Sequence, residues 1–184
     1  MITKLFRLCQ KVSLYAGNSC RKLRLRLLYP GIFIDRNSVI EGNCRIVCVD
    51  GGKLEIRNTH ICEGVYLFAD INSQVLLDNC FVGRYTHIAA KQSISIGSGT
   101  MIAEMVVIRD QDHAKENQDD SMLSGYNIAP INIGTQVWVA SKATILKGVS
   151  IGDRAVIAAS AVVNKHVAAG ELWGGIPARF IKLV

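Results

Sequence analysis

The string Asp110-Gln111-Asp112-His113 gathers the side chains of this chain best suited to moving a proton. An imidazole titrates near neutrality, so a neutral His113 can accept a hydroxyl proton while the oxygen attacks a carbonyl. His113 is therefore the candidate general base. Asp110 or Asp112 would either orient that ring or form a turn, and residue type alone leaves both open. His60, His87 and His166 read as structural or exposed positions, and Lys91 is a weaker candidate for facing an acceptor.

The segment carrying His113, residues 109–130, is polar and has no apolar period. Its surroundings are periodic. Ile133, Val139, Ile145, Ile151, Ile157 and Val163 recur every sixth residue, and Gly134, Ala140, Gly152 and Ala158 directly follow four of them. A period of six fits neither a helix nor an alternating strand. It is the pattern of a parallel β-helix, in which each apolar residue points inward and stacks on the coil below. One coil cannot bury its own apolar face, so the stack itself is the core. The register starts after Gly31 with Ile34, Ile40 and Ile46, and loosens across Asp50-Gly51-Gly52. Ile56 and Ile61 fit it poorly, and it resumes through Val82, Ile88, Ile96, Ile102 and Ile108. The expected fold class is all-β, a solenoid over residues 31–184 with residues 109–130 protruding as a functional loop.

Residues 1–30 differ in kind. They hold Lys4, Arg7, Lys11, Arg21, Lys22, Arg24 and Arg26 and no acid, so the net charge of +6 belongs to this segment. Ile2, Leu5, Phe6, Cys9, Val12 and Ala16 mark one face at helical spacing. Gly17-Asn18-Ser19 reads as an interruption, after which Ser19 caps a second helix over residues 20–28. Residues 1–28 suit either the inner surface of a membrane, each cation being worth about 1 kcal/mol there, or a cap on the solenoid's open end. Without interleaved aromatics they argue against nucleic acid as a partner. No apolar run is long enough to span a membrane and no signal-peptide pattern is evident. Six cysteines without CxxC pairs read as reduced thiols of a cytoplasmic protein. Cys44, Cys62 and Cys80 stand 18 residues apart, three hexapeptides, and are expected to stack as a buried ladder.

Four stretches are similar to motifs of one family: Asp110 to His113, Val137-Trp138-Val139-Ala140, Ala143 to Gly152, and Gly175-Ile176-Pro177-Ala178-Arg179. Through them residues 31–184 resemble the hexapeptide-repeat acyltransferases, in the branch that O-acetylates bacterial surface polysaccharides. The resemblance implies a left-handed β-helix, a homotrimer with sites between neighbouring subunits, and acetyl transfer from acetyl-CoA to a sugar or polysaccharide hydroxyl without a metal. A thioester is already activated, so direct attack assisted by His113 needs no covalent enzyme intermediate. Trp138 would lie beside the acetyl-CoA arm, with Asp112 a further catalytic candidate. The N–H groups of Ala140 and Ser141 would hold the carbonyl oxygen as it gains charge. Ala159, Asn164, Lys165, Arg179 and Lys182 would bind CoA, the cations facing its phosphates.

The Asn and carboxylate that related galactoside enzymes set beside the sugar have no clear equivalents, so the acceptor stays open. N-acetyl transfer, or acetylation of serine or another small molecule, is the alternative on the same fold. A zinc hydratase of similar build needs three converging imidazoles, and no two histidines here stand five residues apart. A non-catalytic β-helix binding module is the remaining rival.

Overall fold

The computed structural model describes residues 17–114 and 125–184, and the helical face expected over residues 2–16 lies outside them. From Ile32 the chain coils through three sheets whose strands pair in parallel, apart from an antiparallel last pair in the second. The first contains Ile32–Ile34, Lys53–Arg57, Gln74–Asp78, Ser93–Ile96, Ile131–Ile133 and Ser150–Ile151. The second contains Val39–Ile40, His60–Ile61, Phe81–Val82, Met101–Ile102, Trp138–Val139 and Val156–Ile157, and ends in Glu171–Gly175 and Ala178–Leu183. The third contains Arg45–Cys48, Tyr66–Ala69, His87–Ala90, Val107–Arg109, Thr144–Ile145 and Val162–Val163.

The hexapeptide residues form the interior as the period requires. Ile40, Ile61, Val82, Ile102, Val139 and Ile157 stack as direct register partners, one per coil. Ile46, Leu67, Ile88, Ile108, Ile145 and Val163 make a second ladder. Ile34, Ile56, Leu77, Ile96, Ile133 and Ile151 make the third. All are buried, each contributing about 1.5–3 kcal/mol of apolar transfer. Ile56 and Ile61, which looked out of register, sit squarely in it.

Coil length explains that difference. Ile40, Ile61 and Val82 are partners at intervals of 21 residues, whereas Val139 and Ile157 are 18 apart. The first coils place their extra residues mostly between the third sheet and the first, at Asp50-Gly51-Gly52, Asp70 to Ser73, and Lys91-Gln92. The segment after Arg109 leaves from that same edge. The expected cysteine ladder is therefore not formed, because an interval of 18 does not match a coil of 21. Cys44 lies level with Val65, Cys62 with Glu41 and Gly83, and Cys80 with Thr59. Cys62 and Cys80 are nonetheless buried, and the five cysteines of the described residues are free thiols.

Residues 17–28 form one helix, so Gly17-Asn18-Ser19 does not break it there. Asn18, whose side chain could compete with its own backbone, turns to the solenoid instead. It accepts from the Ile40 N–H at 2.9 Å and donates to the Ser38 carbonyl at 3.3 Å. Lys22 donates to the Asp35, Arg36 and Ser38 carbonyls at 3.3, 2.9 and 2.9 Å, and Arg21 to the Ile40 carbonyl at 2.8 Å. The helix thus satisfies polar groups on the solenoid's first coil, as the capping reading expects. Among the described residues no helix is long and apolar enough to cross a membrane.

Candidate functional site

His113 lies on a short antiparallel arm. Gln111–His113 pairs with Tyr126–Ile128, with His113 directly opposite Tyr126. Their rings are 4.8 Å apart at 36°. The Lys91 ammonium sits 4.0 Å from the centre of the Tyr126 ring and is also paired with Asp70. Lys91 therefore faces the root of the arm. Asp70 belongs to the coil below, so the pair joins two coils and one strand of the arm.

The two carboxylates of the Asp-Gln-Asp-His string have separate tasks. Asp110 is fully buried and accepts the Lys91 and Gln92 N–H groups, both at 2.8 Å. Burial raises its pKa above the ordinary carboxylate value against the pull of those bonds. From the root of the arm it thus holds the Lys91-Gln92 turn of the coil below. Asp112 is half exposed and pairs with Lys147 at 2.9 Å, tying the arm to the fifth coil. Its carboxylate is thus directed at a cation rather than at the imidazole.

The other histidines are placed as the sequence suggested. His166 accepts the Ser150 N–H at 3.0 Å, and His60 bonds Glu41. His87 packs edge-on to Tyr66 at 4.4 Å, and burial, then the nearby Arg109, hold its pKa below the ordinary value.

Trp138 stands half exposed on the second sheet, above a cleft of about 500 Å³. Ala140, Ser141, Ala158 and Ala159 line that cleft together with Glu104 and Leu172. The residues after the inward ladder read Gly83, Ala103, Ala140 and Ala158 on successive coils, leaving a channel without long side chains. Trp138, Ala140, Ser141 and Ala159 are thus brought together. One detail departs from expectation: the Ala140 N–H donates to the Ile157 carbonyl at 2.9 Å, as part of the ladder between coils. It cannot also serve an oxyanion, which leaves the Ser141 N–H.

Asn164 and Lys165 are exposed just past Val163, at the end of the third sheet. Arg179 and Lys182 are exposed on the final strand, opposite Gly174 and Leu172 respectively. Lys182 therefore stands across from a residue of the cleft wall, while Asn164 and Lys165 occupy a different edge. His113 is also separate. Its arm leaves the edge between the third sheet and the first, whereas the cleft follows the edge between the second and the third. Sequence reasoning missed Tyr126, Glu104, Lys147 and Leu172. Only Tyr126 carried a signal, as the aromatic on the far side of the polar segment.

Residues 130–165 match the family of bacterial transferase hexapeptide repeats. The chain is 36% identical over 114 residues to WbbJ of Escherichia coli, named for O-acetyl transfer in lipopolysaccharide biosynthesis, covering 57% of this chain and 58% of that one. It is 32% identical over 90 residues to the galactoside O-acetyltransferase of the same organism, covering 49% and 44%. The chain thus spans about half the length of the curated relatives it matches. In structure it is similar to AntD of Bacillus cereus, an N-acyltransferase in complex with dTDP-4-amino-4,6-dideoxyglucose and coenzyme A. That likeness has a TM-score of 0.73 at 17% identity and covers 88% of each chain. That likeness shows the fold of the solenoid, a left-handed parallel β-helix as in AntD.

Proposed function

We propose that this chain, a member of the bacterial hexapeptide-repeat transferase family, moves an acetyl group from acetyl-CoA to a hydroxyl of a surface-polysaccharide sugar or its precursor. One observation carries the reading: an outward imidazole on a tethered arm at one edge of the solenoid, and a small-residue cleft under Trp138 at another. The names of the E. coli relatives support O-acetyl transfer, and the AntD complex supports coenzyme A as the donor's carrier.

The acceptor hydroxyl gives its proton to His113 as its oxygen attacks the thioester carbonyl. The tetrahedral oxyanion takes the Ser141 N–H. Collapse breaks the carbon–sulfur bond, and the departing CoA thiolate recovers the proton from the imidazolium. No step requires a metal. The pantetheine arm runs along Ala140, Ala158 and Ala159 under Trp138, with Arg179 and Lys182 at the phosphates; Asn164 and Lys165, on the other edge, meet the phosphates of the CoA in a neighbour's cleft. Asp112 acts by holding the arm to Lys147. Because arm and cleft stand on different edges, one copy's His113 serves a neighbour's cleft, which calls for a homotrimer. A monomer by light scattering that keeps full activity would remove this assembly.

Leu23, Leu27 and Leu28 are exposed on the basic helix, which supports peripheral contact at the inner face of a membrane. Sedimentation with anionic vesicles tests it, and unchanged binding after Leu27→Glu would count against it.

The deciding experiment is thiol release over a panel of hydroxyl and amino sugars, with His113→Ala beside the unsubstituted protein. The variant should lose about 10²–10⁴-fold in kcat and keep CoA binding by calorimetry. His113 is exposed, so melting should hardly move. A variant retaining more than about a tenth of the rate would show that His113 is not the base. Transfer only to amino sugars would favour the N-acyl alternative.

A further inference from the structure

We propose that Glu41, His60 and Cys62 form a binding site for a divalent cation of the zinc class on the first two coils, apart from the acetyl-transfer groups. The inference does not rest on the acetyl-transfer reading. Ile40 and Ile61 are direct register partners, so Glu41 and Cys62 take the same step past the inward ladder on adjacent coils. Neighbouring strands lie about 4.8 Å apart. His60, on the strand that ends one residue before Cys62, adds a third donor from the same coil.

One donor atom from each of the three residues falls within 4.8 Å of the other two. The Glu41 carboxylate is already aimed. Its Oε2 accepts the Glu63 N–H at 2.9 Å, and its Oε1 faces His60 Nε2 at 2.9 Å. Carboxylate oxygen, imidazole nitrogen and sulfur together suit a borderline-soft ion, whereas calcium and magnesium call for oxygen throughout.

Bonds of about 2.0–2.3 Å to a tetrahedral zinc put ligand atoms roughly 3.3–3.8 Å apart. Shifts on the order of 1 Å would close the site from its present geometry, with the Glu41–His60 hydrogen bond giving way to two metal bonds. As the sulfur–metal bond forms the S–H bond breaks, and the proton passes to solvent. Carboxylate and thiolate, two negative charges, then balance the dication, so the filled site adds no net charge beside Arg84, the one cation on the cavity wall.

The donors are confined to these coils. At the equivalent step the later coils carry Gly83, Ala103, Ala140 and Ala158, which have nothing to offer a metal. A cavity of about 450 Å³, walled also by Phe81 and Tyr85, adjoins all three donors and leaves room for a fourth ligand such as water. Three protein ligands and one open position are the arrangement of a reactive rather than a sealed zinc site. Glu104 lines both this cavity and the cleft beneath Trp138, so the cation would stand at the far end of the same edge.

The test is titration of the reduced, chelator-stripped full chain, free of any histidine tag, with Zn²⁺ against a chromophoric chelator and with Co²⁺ in the near ultraviolet. The expected results are one equivalent of zinc, a thiolate-to-cobalt charge-transfer band, and protection of Cys62 from alkylation by Zn²⁺. Cys62→Ser, His60→Gln and Glu41→Gln should each weaken binding by about 100-fold or more. Cys20→Ser, at an exposed thiol on the helix, should leave it unchanged. If Cys62→Ser fails to fold, protection of Cys62 in the unsubstituted protein decides the matter. No equimolar zinc, or a cobalt band that survives in folded Cys62→Ser, would overturn the site and leave Glu41–His60 as a tie between coils.

Discussion

Replacing Lys91 by methionine would keep the stem of the side chain and delete the charge that fastens the arm. Two contacts are lost: the ammonium 4.0 Å from the Tyr126 ring, and the partly buried pair with Asp70. The first is worth about 0.5–1 kcal/mol where the ring is partly exposed. The second is worth at most about 1 kcal/mol, its side chains being only 23% and 19% exposed. Together they amount to about 0.5–2 kcal/mol, a factor of roughly 2–30 in the ratio of ordered to disordered arm. Tyr126 packs against His113, so kcat should fall by up to that factor, well short of the 10²–10⁴-fold expected for losing the base itself. The donor KM should not move, because the cleft under Trp138 contains neither residue. Steady-state thiol release with varied acetyl-CoA measures both constants. Lys91→Arg, which retains a cation for the ring and for Asp70, should recover most of the rate. A Lys91→Met enzyme with an unchanged kcat would refute the argument, the expected range starting near twofold. So would an arginine variant as damaged as the methionine one.

Other consequences can be checked alongside. Lys165→Glu and Arg179→Glu should raise the donor KM far more than they lower kcat, since contacts to remote phosphates act equally in ground and transition states. An unchanged KM in both would take them out of the donor site. Ile102 is fully buried between Val82 and Val139, so Ile102→Ala should cost about 2–5 kcal/mol and lower the melting temperature by on the order of 10 °C. A shift under a few degrees would mean that the coils collapse around the gap. Burial acts to raise the Asp35 pKa, yet bonds from the Ser38 hydroxyl and from the Asn58 and Ser38 N–H groups hold it below its ordinary 3.8. A carboxylate with a lowered folded pKa stabilises the fold above its unfolded value and loses that contribution as pH falls through the folded one. Urea midpoints should therefore drop below about pH 4, and Asp35→Asn should flatten the drop; equal slopes in the two proteins would refute the assignment.

The hexapeptide period was legible because it is local. An apolar residue every sixth position decides which side chains face inward whatever the neighbouring coil does, so Ile133 to Val163 announced the interior ladders from sequence alone. The polar run after Arg109 likewise declared itself by lacking that period, and His113 by being the histidine within it. What passes between coils was not legible, because it depends on how many residues each turn consumes. The early coils of 21–22 residues put Ile56 and Ile61 into register and took Cys44, Cys62 and Cys80 out of line. The same register brings Glu41 to Cys62, residues with no sequence-level reason to meet. Two further facts needed the tertiary structure. The Ala140 N–H is occupied by the next coil, and Asp112 turns to Lys147, 35 positions along the chain. Hydrophobic periodicity is written in steps of six, whereas contact across coils follows the length of every intervening turn, and that length is settled only when the coils stack.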